Sequence, residues 1–212
     1  MSVESEFPLE ISFFEAARLG NVKKLDQLLS EGVDINWQTA PFFKTVIHLL
    51  ADDGNTSSLK HLLSKGPNLE LLDHNQMTPL MVACSWQGKK RATNAALIID
   101  AGANVNAVRA SDEMTPLKCS ALRAEIWLVE KLIDAGAQVD YPPNSRQTAL
   151  MLAARENNGA AVDLLVRKGA DPLAPCGLPW AQGKTAEELA QLERARKALA
   201  AFKLLRTQGV IH

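Results

Sequence analysis

The chain has few aromatic residues, few cysteines and almost no excess of charge. Lys plus Arg is 23 and Asp plus Glu is 24, a net of −1, so no overall field draws in nucleic acid or an anionic membrane. Three cysteines, Cys84, Cys119 and Cys176, cannot all pair, and a small disulfide-stapled fold needs far denser cysteine. No apolar run reaches the roughly 18 residues of a membrane span. The opening Met-Ser-Val-Glu-Ser-Glu-Phe-Pro carries acid where a secretory signal carries base. These absences predict a reduced, cytoplasmic protein without membrane or nucleic-acid partners. Aromatics are only 5% of the 212 residues, yet four of them are Trp, so the position of each Trp matters. With 47% apolar and 22% charged residues, the composition is that of a folded chain.

The most informative feature is repetition. Thr followed by a small or apolar step recurs at Thr45, Thr78, Thr115 and Thr148, with a weaker echo at Thr185, spaced 33, 37, 33 and 37 residues. Gly closes an apolar stretch at Gly32, Gly66, Gly102, Gly136 and Gly169, spaced 34, 36, 34 and 33 residues. Between each Thr and Gly lie two short amphipathic segments. Thr suits a helix N-cap, and the Pro that follows it at 79 and 116 suits the first helical position. Leu59, Leu62 and Leu63, or Leu128, Val129, Leu132 and Ile133, mark the apolar face of the second helix. The Gly then supplies a left-handed turn.

The run from Asp73 through Thr78-Pro79-Leu80 to Gly102-Ala103-Asn104-Val105-Asn106 resembles the ankyrin repeat, whose period is about 33 residues. Phe14-Glu15-Ala16-Ala17 looks like an N-terminal cap and Gly183-Lys184-Thr185-Ala186 like the start of a terminal one. The resemblance implies an all-α solenoid of stacked helix-turn-helix units near 10–36, 37–70, 71–106, 107–140, 141–172 and 173–206. Residues 1–9 then form an extension and 207–212 a tail. The family also implies a His three residues after the repeat Thr, which ties successive turns together. Only His48 keeps it, with Met81, Lys118 and Met151 elsewhere, so looser turns are expected there. Gly is implied two residues before the Thr, where Phe43, Gln76, Glu113 and Arg146 stand. Some of those turns should therefore change shape. Three additional residues around Gly88–Thr93 should lengthen a loop between helices. The wide interval from Gly169 to Thr185 should form an enlarged final loop.

Candidate chemistry is sparse. Gly177 to Thr185 echoes a phosphate-binding loop, but has five residues between its glycines instead of four and no strand pattern before it. His48 and Asp52 share a helix face at metal-ligand spacing without a further ligand nearby. Cys84 and Cys119 lie within first helices, without a partnered base. The expectation is no enzyme, no cofactor and no metal. In an ankyrin stack the turn tips and first helices line one concave face, which the resemblance assigns to a partner protein. On it should lie Asp52, Asp53, Ser85, Trp86, Leu122, Arg123, Arg155 and Glu156 from the first helices. Phe42, Lys44, His74, Met77, Asp112, Met114, Asn144 and Gln147 should join them from the turns. Trp86 with Leu122 and Arg123 is the expected anchor. Trp127, on an outer face, offers a second contact such as a homodimer. The chain is expected to be monomeric when free and to act as adaptor or inhibitor, or as an immunity protein blocking a partner enzyme.

Overall fold

The intervals between the recurrent Thr and Gly fold as helix pairs. The computed structural model describes residues 8–53, 55–85, 88–123, 125–143 and 145–211, and of Asp53 and Arg123 the backbone only. These residues form two compact bodies, one built from residues up to 83 together with 88–104, the other from residues of 84–87 and from 105 onward. Among the described residues no helix is long and apolar enough to cross a membrane.

The first body holds α1 (Pro8–Leu19), α2 (Val22–Ser30), α3 (Val46–Asp53), α4 (Thr56–Leu63), most of α5 (Pro79–Cys84), and α6 (Lys89–Asp100). Here α1 packs on α3, while α2 packs on α4 and α4 on α6. First helices thus form one row and second helices another. Leu25 and Leu28 on α2, Leu59 and Leu62 on α4, and Ile98 on α6 are buried where the rows meet. Their three-residue spacing is what places both leucines of a helix on one face. Each buried Leu or Ile contributes about 1.5–3 kcal/mol relative to exposure.

The second body repeats the scheme with α7 (Pro116–Arg123), α8 (Ile126–Asp134), α9 (Ala149–Arg155), α10 (Gly159–Arg167), α11 (Ala186–Leu192) and α12 (Arg196–Thr207). Its rows run α7–α9–α11 and α8–α10–α12. Ala153, Ala154 and Ala190 are buried, and their small side chains let the first-row helices approach closely. Gly159 is required for the same reason: a Cβ there would stand 2.5 Å from the Lys197 carbonyl oxygen. Asn55 and Asn158 each close two ends at once. Asn55 Oδ1 accepts from Ser58 N at 3.1 Å while its Nδ2 donates to Arg18 O at 3.0 Å. Asn158 does the same with Ala161 N at 3.2 Å and Ala121 O at 3.4 Å. Such caps are worth about 1 kcal/mol each.

Two expectations about the turns need correction. The connection between α5 and α6 is longer, as expected, four residues against two between α3 and α4 and between α7 and α8, but residues 89–93 are not part of it. Helix α6 begins at Lys89, directly after Gly88 at φ 140°, so those five residues form its first helical turn and more. Lys-Lys-Arg-Ala favours that state, and Arg91 anchors it by donating Nε to Asp52 O and Nη2 to Asp52 Oδ1, both at 2.8 Å. Nor does a side chain change the turn at three of the four former glycine positions. Phe43, Gln76 and Glu113 keep the left-handed conformation, with φ of 51°, 58° and 61°. Only Arg146 leaves it, in the turn that carries Pro142 and Pro143. Packed helices on either side hold the other three turns against their local preference.

A ladder of side-chain acceptors joins successive units after each closing glycine. Asn68 N donates to Asn36 Oδ1 at 2.8 Å and Asn104 N to Glu70 Oε1 at 2.9 Å in the first body. In the second, Gln138 N donates to Asn106 Oδ1 and Asp171 N to Asp140 Oδ2, both at 2.9 Å. Asn106 uses its other end as well, Nδ2 donating to Gly136 O at 3.0 Å. Asp140 has no such donor, and its Oδ1 is buried without a partner. Burial, and then Asp171 nearby, push its carboxyl above the usual carboxylate range. A group whose folded pKa is raised stabilises most when protonated, and that stability is lost as pH rises through the raised value. Asp140→Asn should therefore raise the unfolding midpoint near neutral pH by about 1 kcal/mol, roughly 2–4 °C for a chain of this size. The gain should shrink at acid pH, where Asp140 itself carries a proton; thermal melts of both proteins across pH check it.

Candidate functional site

In the first body two turn tips are sewn together and lift a pair of rings into solvent. Gln38 Nε2 donates to Phe43 O at 2.6 Å and to Leu72 O at 2.9 Å. His74 N donates to Phe42 O at 2.9 Å, and the His74 ring stands edge-on to Phe42 with centroids 5.3 Å apart. Phe42 and Phe43 remain 54% and 53% exposed. Beside them Lys44 lies 3.9 Å from Asp52, which Arg91 also holds. Of the residues expected on this face, Phe42 and His74 are thus in contact. Lys44 and Asp52 form an ion pair, and Met77 is half-buried.

His48 fastens this region from beneath. Thr45 N donates to its Nδ1 at 3.1 Å, so Nδ1 is unprotonated, and Nε2 must carry the proton it gives to Met77 O at 3.0 Å. Desolvation is the largest influence on this buried imidazole and lowers its pKa. In the second body Lys118 takes over the role. It is only 2% exposed, and its Nζ donates to Glu113 O at 2.9 Å and to Ser145 Oγ at 2.6 Å. Ser145 Oγ in turn donates to Glu113 Oε2 at 2.9 Å, and Arg146 N donates to the same oxygen at 3.0 Å. Loss of the family's histidine therefore does not loosen this turn, contrary to expectation. A long ammonium reaches both the turn's own carbonyl and the next turn's hydroxyl. Burial brings the Lys118 pKa down to about 8.

Elsewhere in the second body, Asp112 accepts Nε and Nη2 of Arg109 at 2.8 and 2.6 Å, which holds its carboxyl below the usual range. Ser85, Met114 and Leu122 are half-buried, and Glu156 is exposed. Trp86 and Asn144 lie outside the described residues, as do the side chains of Asp53 and Arg123. The expected anchor of Trp86 with Arg123 thus falls there. Composition and spacing missed Trp180. It sits in a 3₁₀ turn over Pro179–Ala181, 54% exposed, with the Arg155 guanidinium carbon 4.8 Å from its ring centroid. A lone Trp in the widened interval before Thr185 was the available signal.

Several groups with reactive potential among the described residues are engaged or suppressed. Burial pushes the Cys84 thiol up to about 12 and raises Cys119 as well, leaving both far from the thiolate form. Both nitrogens of His48 are engaged, and Asp52 is held by Arg91 and Lys44. In the phosphate-loop echo, the amides of Gly177, Gly183 and Lys184 donate to Arg146 O, Cys176 O and Ala181 O. Thr185 caps α11 in a reciprocal pair with Glu188. A cradle for phosphate needs those amides pointing outward. A cavity of about 380 Å³ lies beside this loop, lined by Asp140, Ser145, Arg146, Asp171 and Pro175 among others.

A family model for ankyrin repeats (three copies) matches residues 13–109 and 89–175. The chain belongs to the ankyrin-repeat family. Ankyrin repeats are a protein-binding module. The putative palmitoyltransferase ZDHHC13 of Danio rerio is 30% identical over 150 residues, covering 71% of this chain and 23% of that protein. The ankyrin repeat protein nuc-2 of Neurospora crassa is 29% identical over 190 residues, covering 86% and 18%. The chain thus spans less than a quarter of the length of these curated relatives. Among solved structures, a chain from the complex of the Bd0816 predatory endopeptidase of Bdellovibrio bacteriovorus with the immunity protein Bd3460 matches with a TM-score of 0.75. It is 28% identical, covering 90% of this chain and 96% of that one.

The His48 tie makes stability pH-dependent. A depressed folded pKa contributes stability that is present above the unfolded value of about 6.5 and is lost as pH falls through the folded one. Thermal melts should show the midpoint falling as pH drops below about 6.5, and a shallower fall in His48→Gln.

Proposed function

We propose that this chain is a non-enzymatic binding module that grips a partner protein with its turn tips and first helices, the concave face of an ankyrin stack. It works by occupancy, as adaptor or inhibitor. Phe42 and Phe43 carry the reading. Two adjacent rings more than half exposed offer apolar area that the fold does not use. Phe43 also holds a left-handed backbone that glycine adopts without strain. Strain of that kind gathers at binding sites. The remaining members of the face are Lys44, Asp52, His74 and Met77 in the first body. Ser85, Asp112, Met114, Leu122, Arg155 and Glu156 belong to the second. Asp53, Trp86 and Arg123 are assigned to the same face from sequence position.

A more specific version is favoured by the solved neighbour, which comes from a complex of an endopeptidase with its immunity protein and is matched over nearly its whole length. In that version the chain is an immunity-type protein that blocks a partner enzyme and is monomeric when free.

Affinity capture from a native lysate, read by quantitative mass spectrometry, tests the reading. Phe43→Gly should raise the unfolding midpoint by about 1 kcal/mol through relief of the left-handed strain. The same substitution should weaken capture of the wild-type partner about tenfold or more. Trp127→Ala, on α8, should leave capture unchanged. Undiminished capture by both Phe43→Gly and Phe42→Ala would remove this face from the interface.

A further inference from the structure

We infer that Arg155 and Trp180 form a receptor for an acidic side chain, an aspartate or glutamate of the partner protein; this rests on the binding-module reading and names the chemistry the partner brings. The arginines withdrawn from solvent are otherwise matched with carboxylates: Arg91 with Asp52 and Arg109 with Asp112. Among the described residues Arg155 is half-buried and pairs with none of them. Its Nε is screened from water and lacks an acceptor, and its guanidinium is held over the Trp180 ring, which leaves the outer edge with the two Nη groups to meet an incoming carboxylate. A desolvated cation without a counter-charge is costly, and a bidentate carboxylate offsets that cost.

The pair is also rigidly mounted. Arg155 ends α9, and Trp180 stands on a turn tied by Ala181 N to Leu178 O at 2.9 Å and by Gly177 N to Arg146 O at 2.8 Å. Trp180 stays more than half exposed, leaving apolar surface for the methylenes of the incoming acid.

Nuclear magnetic resonance titration of the full chain tests this, with N-acetylglutamate α-amide as probe and N-acetylglutamine α-amide and inorganic phosphate as controls. The Trp180 indole N–H and Arg155 Nη–H signals should move saturably with the glutamate probe and several-fold less with either control. Arg155→Gln should abolish the indole shift while the rest of the spectrum keeps its folded dispersion; Arg155→Lys should retain a weaker response. Unmoved signals, equal shifts with the glutamine probe, a stronger response to phosphate, or persistence in Arg155→Gln would each overturn the assignment. Those results leave the Phe42 and Phe43 capture experiment unaffected. Failure of capture alongside an intact titration would instead count against the binding-module reading.

Discussion

Burial of aliphatic side chains between neighbouring helix pairs is the constraint on which the fold depends. A pair such as α9 and α10 is sixteen helical residues long, divided into pieces of 7 and 9, too short to be stable alone in water. Its leucines and alanines are covered only because α7, α8, α11 and α12 lie against it. The core is therefore made of small increments, each belonging to an interface between units. The rarity of aromatic residues follows, since close approach of short helices favours Ala and Leu over rings. The few rings left over are free to serve the surface.

Polar ties decide how accurately each turn is placed, and they are more interchangeable than the family pattern implies. His48 spans two turns as a neutral imidazole, while Lys118 spans two as an ammonium supported by Glu113 and Ser145. The geometric task is the same, a donor carried from one turn to an acceptor on the next. The electrostatic cost differs, because a buried ammonium is harder to desolvate than an imidazole. The acceptor ladder shows similar tolerance. Asn36, Glu70, Asn106 and Asp140 each receive an amide from the following unit, and only the last leaves an oxygen stranded.

Several places where the chain works against its own stability lie on the turn and first-helix side. Phe43 occupies a conformation suited to glycine, exposed rings stand beside it, and Arg155 keeps a buried donor without an acceptor. Second helices show fewer such conflicts; Arg167 pairs with Asp163 and Lys168, just past α10, with Asp134. Natural chains violate local rules mainly where a function needs it.

The Thr and Gly periods, the N-capping residues and the two-faced apolar pattern were enough to derive the helix pairs and their family, because these depend on residues close together in the chain. Exposure at Phe42 was legible in the same way, from its place before a repeat Thr. What only the tertiary structure decided was which polar groups are satisfied. Nothing in the order of residues shows that Lys118 would reach Ser145, that Arg91 would extend α6 by closing α3, or that Trp180 would lie under Arg155. These contacts join residues 25 to 39 positions apart. They depend on how neighbouring units pack, and the repeat pattern leaves that open.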